Sequence, residues 1–208
     1  LAAKITFTSA LAGENIKLAP MVNISRNIIA LITAENDDLL ALCGHSTPDI
    51  YLYAHSVNVA VLSVILGTAL DYTDNDLEKL CICGMLHDVG MIKVFDISAK
   101  PGKLERQEVT EIRKHSKYLP EILDKLDTTR EIKEAIITIC EQVHEREDGT
   151  GYPRGVSGQE INVFSKIIGI ADVYEALTHQ LSWRERVLPH DSLKKMIEMS
   201  ENSFETGI

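Results

Sequence analysis

Apolar residues in this chain recur three and four positions apart and nowhere alternate over the length of a strand. Ile24, Ile28, Leu31 and Ile32 follow that spacing, as do Leu77, Leu80, Cys81, Met85 and Leu86. A period near 3.6 gathers such residues on one face of a helix, whereas a strand would need a period of two. The chain is therefore expected to be all-α. Its 208 residues have room for a single bundle of about seven helices around one core. We divide it into a helical lead-in, residues 1–47, and a main domain, residues 48–208. Aromatic residues make up only 5%, so the core must come from Ile, Leu, Val, Ala and Met. The sequence starts at Leu1 and stops at Ile208 without an obvious terminal signal, and a longer parent protein, truncated at the C-terminus, is expected.

Helices are expected over residues 20–35, with Pro20 at the start, and over residues 48–70, with Leu52, Val59, Leu62, Ile65 and Leu66 inward. Thr73 or Asp74 can cap the next helix, which runs into His87-Asp88 and stops near Gly90. Pro101-Gly102 marks residues 95–103 as a loop. A helix from about residue 105 carries His115 and should break near Pro120. Another spans about 129–145, with Ile132, Ile136, Ile139, Cys140 and Val143 inward and His144 beside them. Residues 147–158 hold four glycines and a proline and form a loop. Gly149 and Gly151 flank Thr150 there, suggesting close backbone approach. Helices over 162–178, carrying Asp172, and 189–201, with Leu193, Met196 and Ile197 inward, complete the chain.

The formal charge of −10 argues against a surface for duplex nucleic acid, which needs a basic stripe. The longest apolar run, about residues 57–70, is interrupted by Asn58, Ser63 and Gly67 and reads as too short for a bilayer, so no membrane is expected. Cys43, Cys81, Cys83 and Cys140 form no Cys-x-x-Cys pair. They read as small buried apolar residues in a reducing, cytoplasmic setting.

Six polar residues stand out against these apolar faces: His55, His87, Asp88, His115, His144 and Asp172. Each alone has an ordinary explanation, such as a core histidine bonded to a carbonyl. Together they come one or two at a time from five expected helices. Imidazole with carboxylate is ligand chemistry for Zn, Fe or Mn, and helix bundles build metal sites from facing helices.

The segments that hold them are Tyr51-Leu-Tyr-Ala-His55, His87-Asp88-Val-Gly90, Lys100-Pro-Gly-Lys-Leu104, His144-Glu145-Arg-Glu-Asp148-Gly-Thr-Gly151-Tyr152-Pro153 and Ala171-Asp172-Val-Tyr-Glu175. In this order they resemble the HD-GYP family of metal-dependent phosphohydrolases. The resemblance implies hydrolysis of cyclic di-GMP to the linear dinucleotide or GMP, by a hydroxide held between two divalent cations, Fe or Mn, with His87 and Asp88 at the catalytic centre. It implies that His55, His87, Asp88 and Asp172 hold one cation, and that Asp88 bridges to a second completed by His115 and His144. Tyr152, Arg184 and Lys93 would meet substrate. The loop Gly151-Tyr152-Pro153 would also dock diguanylate cyclase (GGDEF) domains. An upstream sensor or receiver domain and a homodimer are further expectations.

Three positions depart from the family pattern. Met91 stands where a lysine is common, Val143 where a first histidine often precedes His144, and Tyr51 where an acid could help hold a third metal. Two other readings follow: a degenerate relative that senses nucleotide or docks proteins, and an HD phosphohydrolase acting on another nucleotide.

Overall fold

The computed structural model describes residues 2–34, 51–98, 100, 102, 104–179 and 186–203. It is helical, as the periodicity requires. Helices α1 (Ala2–Ala12) and α2 (Ala19–Thr33) come first, followed by α3 (Tyr51–Ala69) and α4 (Asp74–Leu86). The short α5 (Phe95–Ser98) lies where a loop is expected. Then come α6 (Arg106–Ile112), α7 (Leu119–Leu123), α8 (Arg130–Glu141), α9 (Val163–Thr178) and α10 (Pro189–Ser203). Among the described residues the strands are two two-residue pieces, β1 (Ile16–Lys17) and β2 (Leu126–Asp127), paired in parallel with Ile16 opposite Leu126.

Thr73 acts as the expected start signal, and two further caps are present. Thr73 caps α4, its side chain accepting from the Asp76 amide at 3.3 Å. Thr129 caps α8, and Asn162 caps α9 by accepting from the Phe164 amide at 2.9 Å. These bonds satisfy amides that the first helical turn leaves open.

Helix ends differ from expectation, and the differences position the site. Helix α4 ends at Leu86, before Gly90, and a 3-10 turn over Val89–Lys93 follows. The helix expected from residue 105 to Pro120 is already a 3-10 segment over Arg113–Tyr118, and Pro120 falls in the first turn of α7. Helix α8 stops at Glu141, so His144 sits in the turn beyond it rather than on its face.

Helix α3 is the central element, packed by α4 and α9. A β-carbon added to Gly84 would lie 2.8 Å from the Ala60 α-carbon, so α3 and α4 cross at backbone contact. By length and composition α3 is apolar enough to span a bilayer, contrary to the sequence reading. Val59, Ala60 and Val64 are sealed within the core. The 47/48 boundary lies outside the described residues. On its two sides, Phe7, Ile16, Met21 and Ile28 share one hydrophobic cluster with Leu80, Leu123 and Ile168. Phe7 meets Tyr53 edge to face, centroids 5.4 Å apart, and α1 packs on the 3-10 turn after Asp88.

Some apolar residues read as inward are not. Leu31, Ile132, Leu193 and Ile197 are exposed. Each borders a buried stripe narrower than its helix pattern suggests. Helix α10, for example, buries Ser192 and Met196, an i, i+4 pair, beside α9. The expected turn at 36–37, Cys43 and Arg184 lie outside the described residues; Cys81, Cys83 and Cys140 are buried free thiols.

Candidate metal centre

Five segments deliver the six predicted residues to one place. His55 comes from the first turns of α3 and Asp172 from the middle of α9. His87 caps the C-terminus of α4, and Asp88 follows it. His115 lies on the 3-10 segment, and His144 on the turn after α8.

Asp88 is at the middle. Its Oδ1 is 3.1 Å from His115 Nε2, 3.4 Å from His144 Nε2 and 3.7 Å from His87 Nε2. Its Oδ2 is 3.7 Å from His55 Nε2. Asp172 Oδ1 lies 3.2 Å from His55 Nε2 and 3.9 Å from His87 Nε2, and its Oδ2 3.5 Å from His144 Nδ1.

Two backbone carbonyls fix ring orientation. His87 Nδ1 donates to Gly84 O and His115 Nδ1 to Ile112 O, each at 2.8 Å. Each ring therefore turns Nε2 toward the cluster. That is how a metal-binding histidine is usually held.

His55 is held by a carboxylate instead. Its Nδ1 is 2.5 Å from Glu175 Oε2, while Glu175 Oε1 accepts from Asn58 Nδ2 and His179 Nδ1, both at 2.9 Å. Burial pushes the Glu175 carboxyl up, but these bonds from His179, His55 and Asn58 outweigh it and hold it at about 2. The sequence reading assigns Glu175 and Asn58 no role. A signal is present nonetheless: Asn58 is three residues after His55, and Glu175 three after Asp172, so each shares a helical face with its predecessor. Glu175→Gln should keep the fold but weaken metal retention by about 10–100-fold. Competition with a chelator, followed by metal analysis, measures this.

The cluster's charge state follows from its neighbours. Burial pulls His144 down, but the Asp172 and Asp88 carboxylates beside it overcome this and raise the imidazole to about 9. Burial opposes His55 in the same way, and bonds to Asp172 and Glu175 hold it well above the usual histidine value. The His144 ring is thus cationic near neutral pH in the metal-free chain. His144 Nε2 lies 2.9 Å from His115 Nε2, within hydrogen-bonding distance. Burial keeps His87 neutral and below its usual value. Burial also disfavours the two carboxylates, but the histidines around them hold Asp88 and Asp172 far below the ordinary range.

Two atoms test whether metal suits this site. His87 Nε2 and Asp88 Oδ1 are buried and have no hydrogen-bond partner. Leaving such groups unpaired costs about 1–3 kcal/mol each, and an ion between them satisfies both. Ligand atoms of His55, His87 and Asp172 lie within 4.8 Å of one another, as do those of His87, Asp88 and His144. The donor set fits divalent transition metals. The resemblance groups the ligands somewhat differently: by spacing, His87 belongs with both sets, and His115 reaches the second through Asp88 and His144.

The glycine-rich loop closes over this cluster. A β-carbon on Gly151 would fall 2.4 Å from the backbone of Glu145 and Arg146. The close approach expected near Thr150 is thus the loop folding onto its own start. The Tyr152 amide donates to His144 O at 3.1 Å. Glu145 Oε1 accepts from the Arg154 amide at 2.7 Å. Tyr152 stacks on His144 with centroids 5.0 Å apart and planes 11° apart, and meets His115 edge-on at 6.0 Å. The peptide bond into Pro153 is cis.

These segments match a known architecture. Residues 44–207 match the HD domain family. This chain belongs to that family.

A curated relative of the HD domain is a cyclic di-GMP phosphodiesterase of Pseudomonas aeruginosa, 32% identical over 92% of this chain and 46% of its own length. Another is a 3'3'-cGAMP-specific phosphodiesterase of Vibrio cholerae, 35% identical over 76% of this chain and 33% of its own. The chain thus spans less than half the length of these relatives. Among solved structures, an HDG"Y"P protein from Bdellovibrio bacteriovorus superposes with a TM-score of 0.73, at 16% identity, covering 98% of this chain and 64% of that one. That likeness is one of fold.

The departures also have places in the HD domain. Val143 is buried in the apolar core. Met91 is half-buried in the 3-10 turn. Tyr51 packs on His179 and His55 at 4.8 and 5.7 Å. Burial, opposed by His55 and assisted by Glu175, pushes its phenol up to about 12, so it offers no anionic oxygen near neutral pH. Lys93 is exposed, its ammonium 3.8 Å from the Glu121 carboxylate. Among the described residues no contact joins Lys93 to the cluster.

Proposed function

We propose that this HD domain is a metal-dependent phosphodiesterase acting on a cyclic purine dinucleotide, cyclic di-GMP in the first place. The observation that carries this reading is the pair of unpartnered buried atoms, His87 Nε2 and Asp88 Oδ1. They lie within a His/Asp cluster whose ligand atoms gather in two overlapping groups, His55, His87 and Asp172, and His87, Asp88 and His144. In this reading His55, His87, Asp88, His115, His144 and Asp172 would hold two divalent cations, with Asp88 central among the histidines. When bound, the cations supply Lewis acidity, lowering the pKa of a water from about 15.7 toward 7 and countering phosphate charge.

The chain's own residues do the remaining work. Gly84 O and Ile112 O orient His87 and His115, and Glu175 orients His55. Tyr152 covers His144 and limits water on that side. Its phenol, raised above its usual value chiefly by burial, stays protonated and is a hydrogen-bond donor for a substrate oxygen. The names of the relatives, phosphodiesterases of cyclic di-GMP and of 3'3'-cGAMP, support this substrate class. In this reading the domain works in the cytoplasm, where its substrate would be made.

The test is anaerobic turnover of cyclic di-GMP and 3'3'-cGAMP by chain loaded with Fe(II) or Mn(II), with metal counted beforehand. Linear product from either nucleotide at two metals per chain supports the reading. A folded chain that binds nucleotide without hydrolysing it supports the sensor alternative, which the loss of a ligand at Val143 favours. The Gly151–Pro153 loop is also the segment we propose for docking diguanylate cyclase domains, tested by co-purification with Tyr152→Ala as control.

Metal loading should release protons. His144 must give up a proton to coordinate, so protons, about one per chain from this ring, leave at pH ~7.5. Calorimetry in two buffers of different ionisation enthalpy counts them. The sign for stability is set by His144. Its folded value, about 9, exceeds the unfolded value near 6.5. Its contribution to the metal-free fold is full below about 6.5 and lost as pH rises through about 9. Metal affinity should climb over the same interval.

A further inference from the structure

Arg113 stands apart among the cations near the cluster. It lies two residues before His115 on the same 3-10 segment. Its guanidinium carbon is 5.2 Å from the centre of the Tyr152 ring, and that ring stacks on His144. The side chain is exposed. Among the described residues no ion pair joins it to a carboxylate, although the chain has 31 acidic residues. Its neighbour Lys114 is taken up by Glu111 at 2.5 Å, Lys93 lies near Glu121, and Met91 is uncharged. Arg146 donates to the carbonyls of Val143 and Glu145.

We propose that Arg113 binds the second, unreacting phosphodiester of the cyclic dinucleotide while the first is held at the metal cluster. This rests on the substrate reading given above. A guanidinium held over an aromatic ring is attracted to it, and an exposed one still has N–H groups to offer an anion. The guanidinium fork matches two phosphate oxygens. Through Tyr152 it is tied to His144 and therefore fixed relative to the cluster. A macrocycle with two phosphodiesters offers a second anion beside the reacting one; a simple phosphodiester does not. Arg113 would therefore select ligands with two phosphates over those with one.

The experiment compares wild type, Arg113→Ala and Arg113→Lys on cyclic di-GMP and on bis(p-nitrophenyl) phosphate, which has a single phosphodiester. Arg113→Ala should raise KM for cyclic di-GMP by about 10–100-fold, the worth of a charge-assisted hydrogen bond. Its kcat should stay within about twofold, and turnover of bis(p-nitrophenyl) phosphate should not change. Arg113→Lys should fall between the two, because it keeps the charge but loses the fork. Unchanged KM in Arg113→Ala overturns the proposal, as does an equal loss on both substrates, which would mean a distorted site. If wild type turns over neither cyclic dinucleotide, calorimetric binding of cyclic di-GMP decides. Binding that weakens in Arg113→Ala keeps the role of Arg113 while the hydrolytic reading falls. Binding absent in wild type, or equal in both proteins, overturns Arg113's role as well.

Discussion

Asp88→Asn should leave a folded chain that neither retains two metals nor hydrolyses a cyclic dinucleotide. The substitution changes almost no volume, so packing around the α4 terminus survives. What changes is charge and ligand capacity at the one carboxylate that faces His55, His87, His115 and His144 together. An amide offers one weakly basic oxygen and places two N–H donors among imidazoles that need an acceptor or a cation. The expected loss of turnover is at least about a thousandfold, equivalent to about 4 kcal/mol of barrier. Metal content should fall from two per chain to one or none. Metal analysis beside a circular dichroism spectrum checks both halves. A variant that keeps two metals and wild-type turnover would remove Asp88 from the centre of the site. In the metal-free chain the same substitution withdraws the charge that helps hold His144 high, so proton release on loading should shrink.

Gly90→Ala should be the most damaging single methyl near the site. The added β-carbon would sit 2.1 Å from the His115 carbonyl oxygen and 2.9 Å from its carbonyl carbon. Both are backbone atoms, so no rotamer change can relieve the contact. The 3-10 turn over Val89–Lys93 must move off the segment carrying His115. Overpacking of this kind costs about 1–3 kcal/mol and at times more; with backbone on both sides, about 3 kcal/mol is expected. For a chain of this size that lowers Tm by about 6–12 °C. Relief by movement pulls His115 Nε2 from its 3.1 Å position beside Asp88 Oδ1, so the second cation should bind less well even in protein that remains folded. Thermal denaturation and metal competition at a temperature below the transition separate the two effects. An unchanged Tm would show that the turn yields freely.

Gly90 also illustrates what a sequence conceals. In the chain it reads as a helix stop, because glycine commonly ends helices. Helix α4 has already ended at Leu86, and Gly90 is small because another segment's backbone lies against it. That segment is remote in sequence, and only packing brings it near. Glu175 shows the opposite case. Its three-residue spacing from Asp172 is legible, but its partner His55 lies 120 residues away, and nothing local marks a carboxylate as the acceptor for a particular imidazole. His144 stands out in the sequence as a ligand, yet its expected setting on a helix face is wrong, since α8 stops at Glu141 and the ring projects from a turn. Leu193 and Ile197 fit an apolar face on α10, yet α9 covers only the narrower strip at Ser192 and Met196.

Residue type and short spacing suffice for the helical class, for the cap at Thr73, and for the identities of the six clustered side chains. Periodicity and side-chain chemistry express these without a partner. Other features exist only once the helices have packed: which of Asp88's neighbours share its oxygens, which carbonyl or carboxylate backs each histidine, and the seating of Arg113 on Tyr152 beside the cluster. These depend on distances between segments far apart in the chain, and such distances are set by how helix faces meet, with glycines at the tightest crossings.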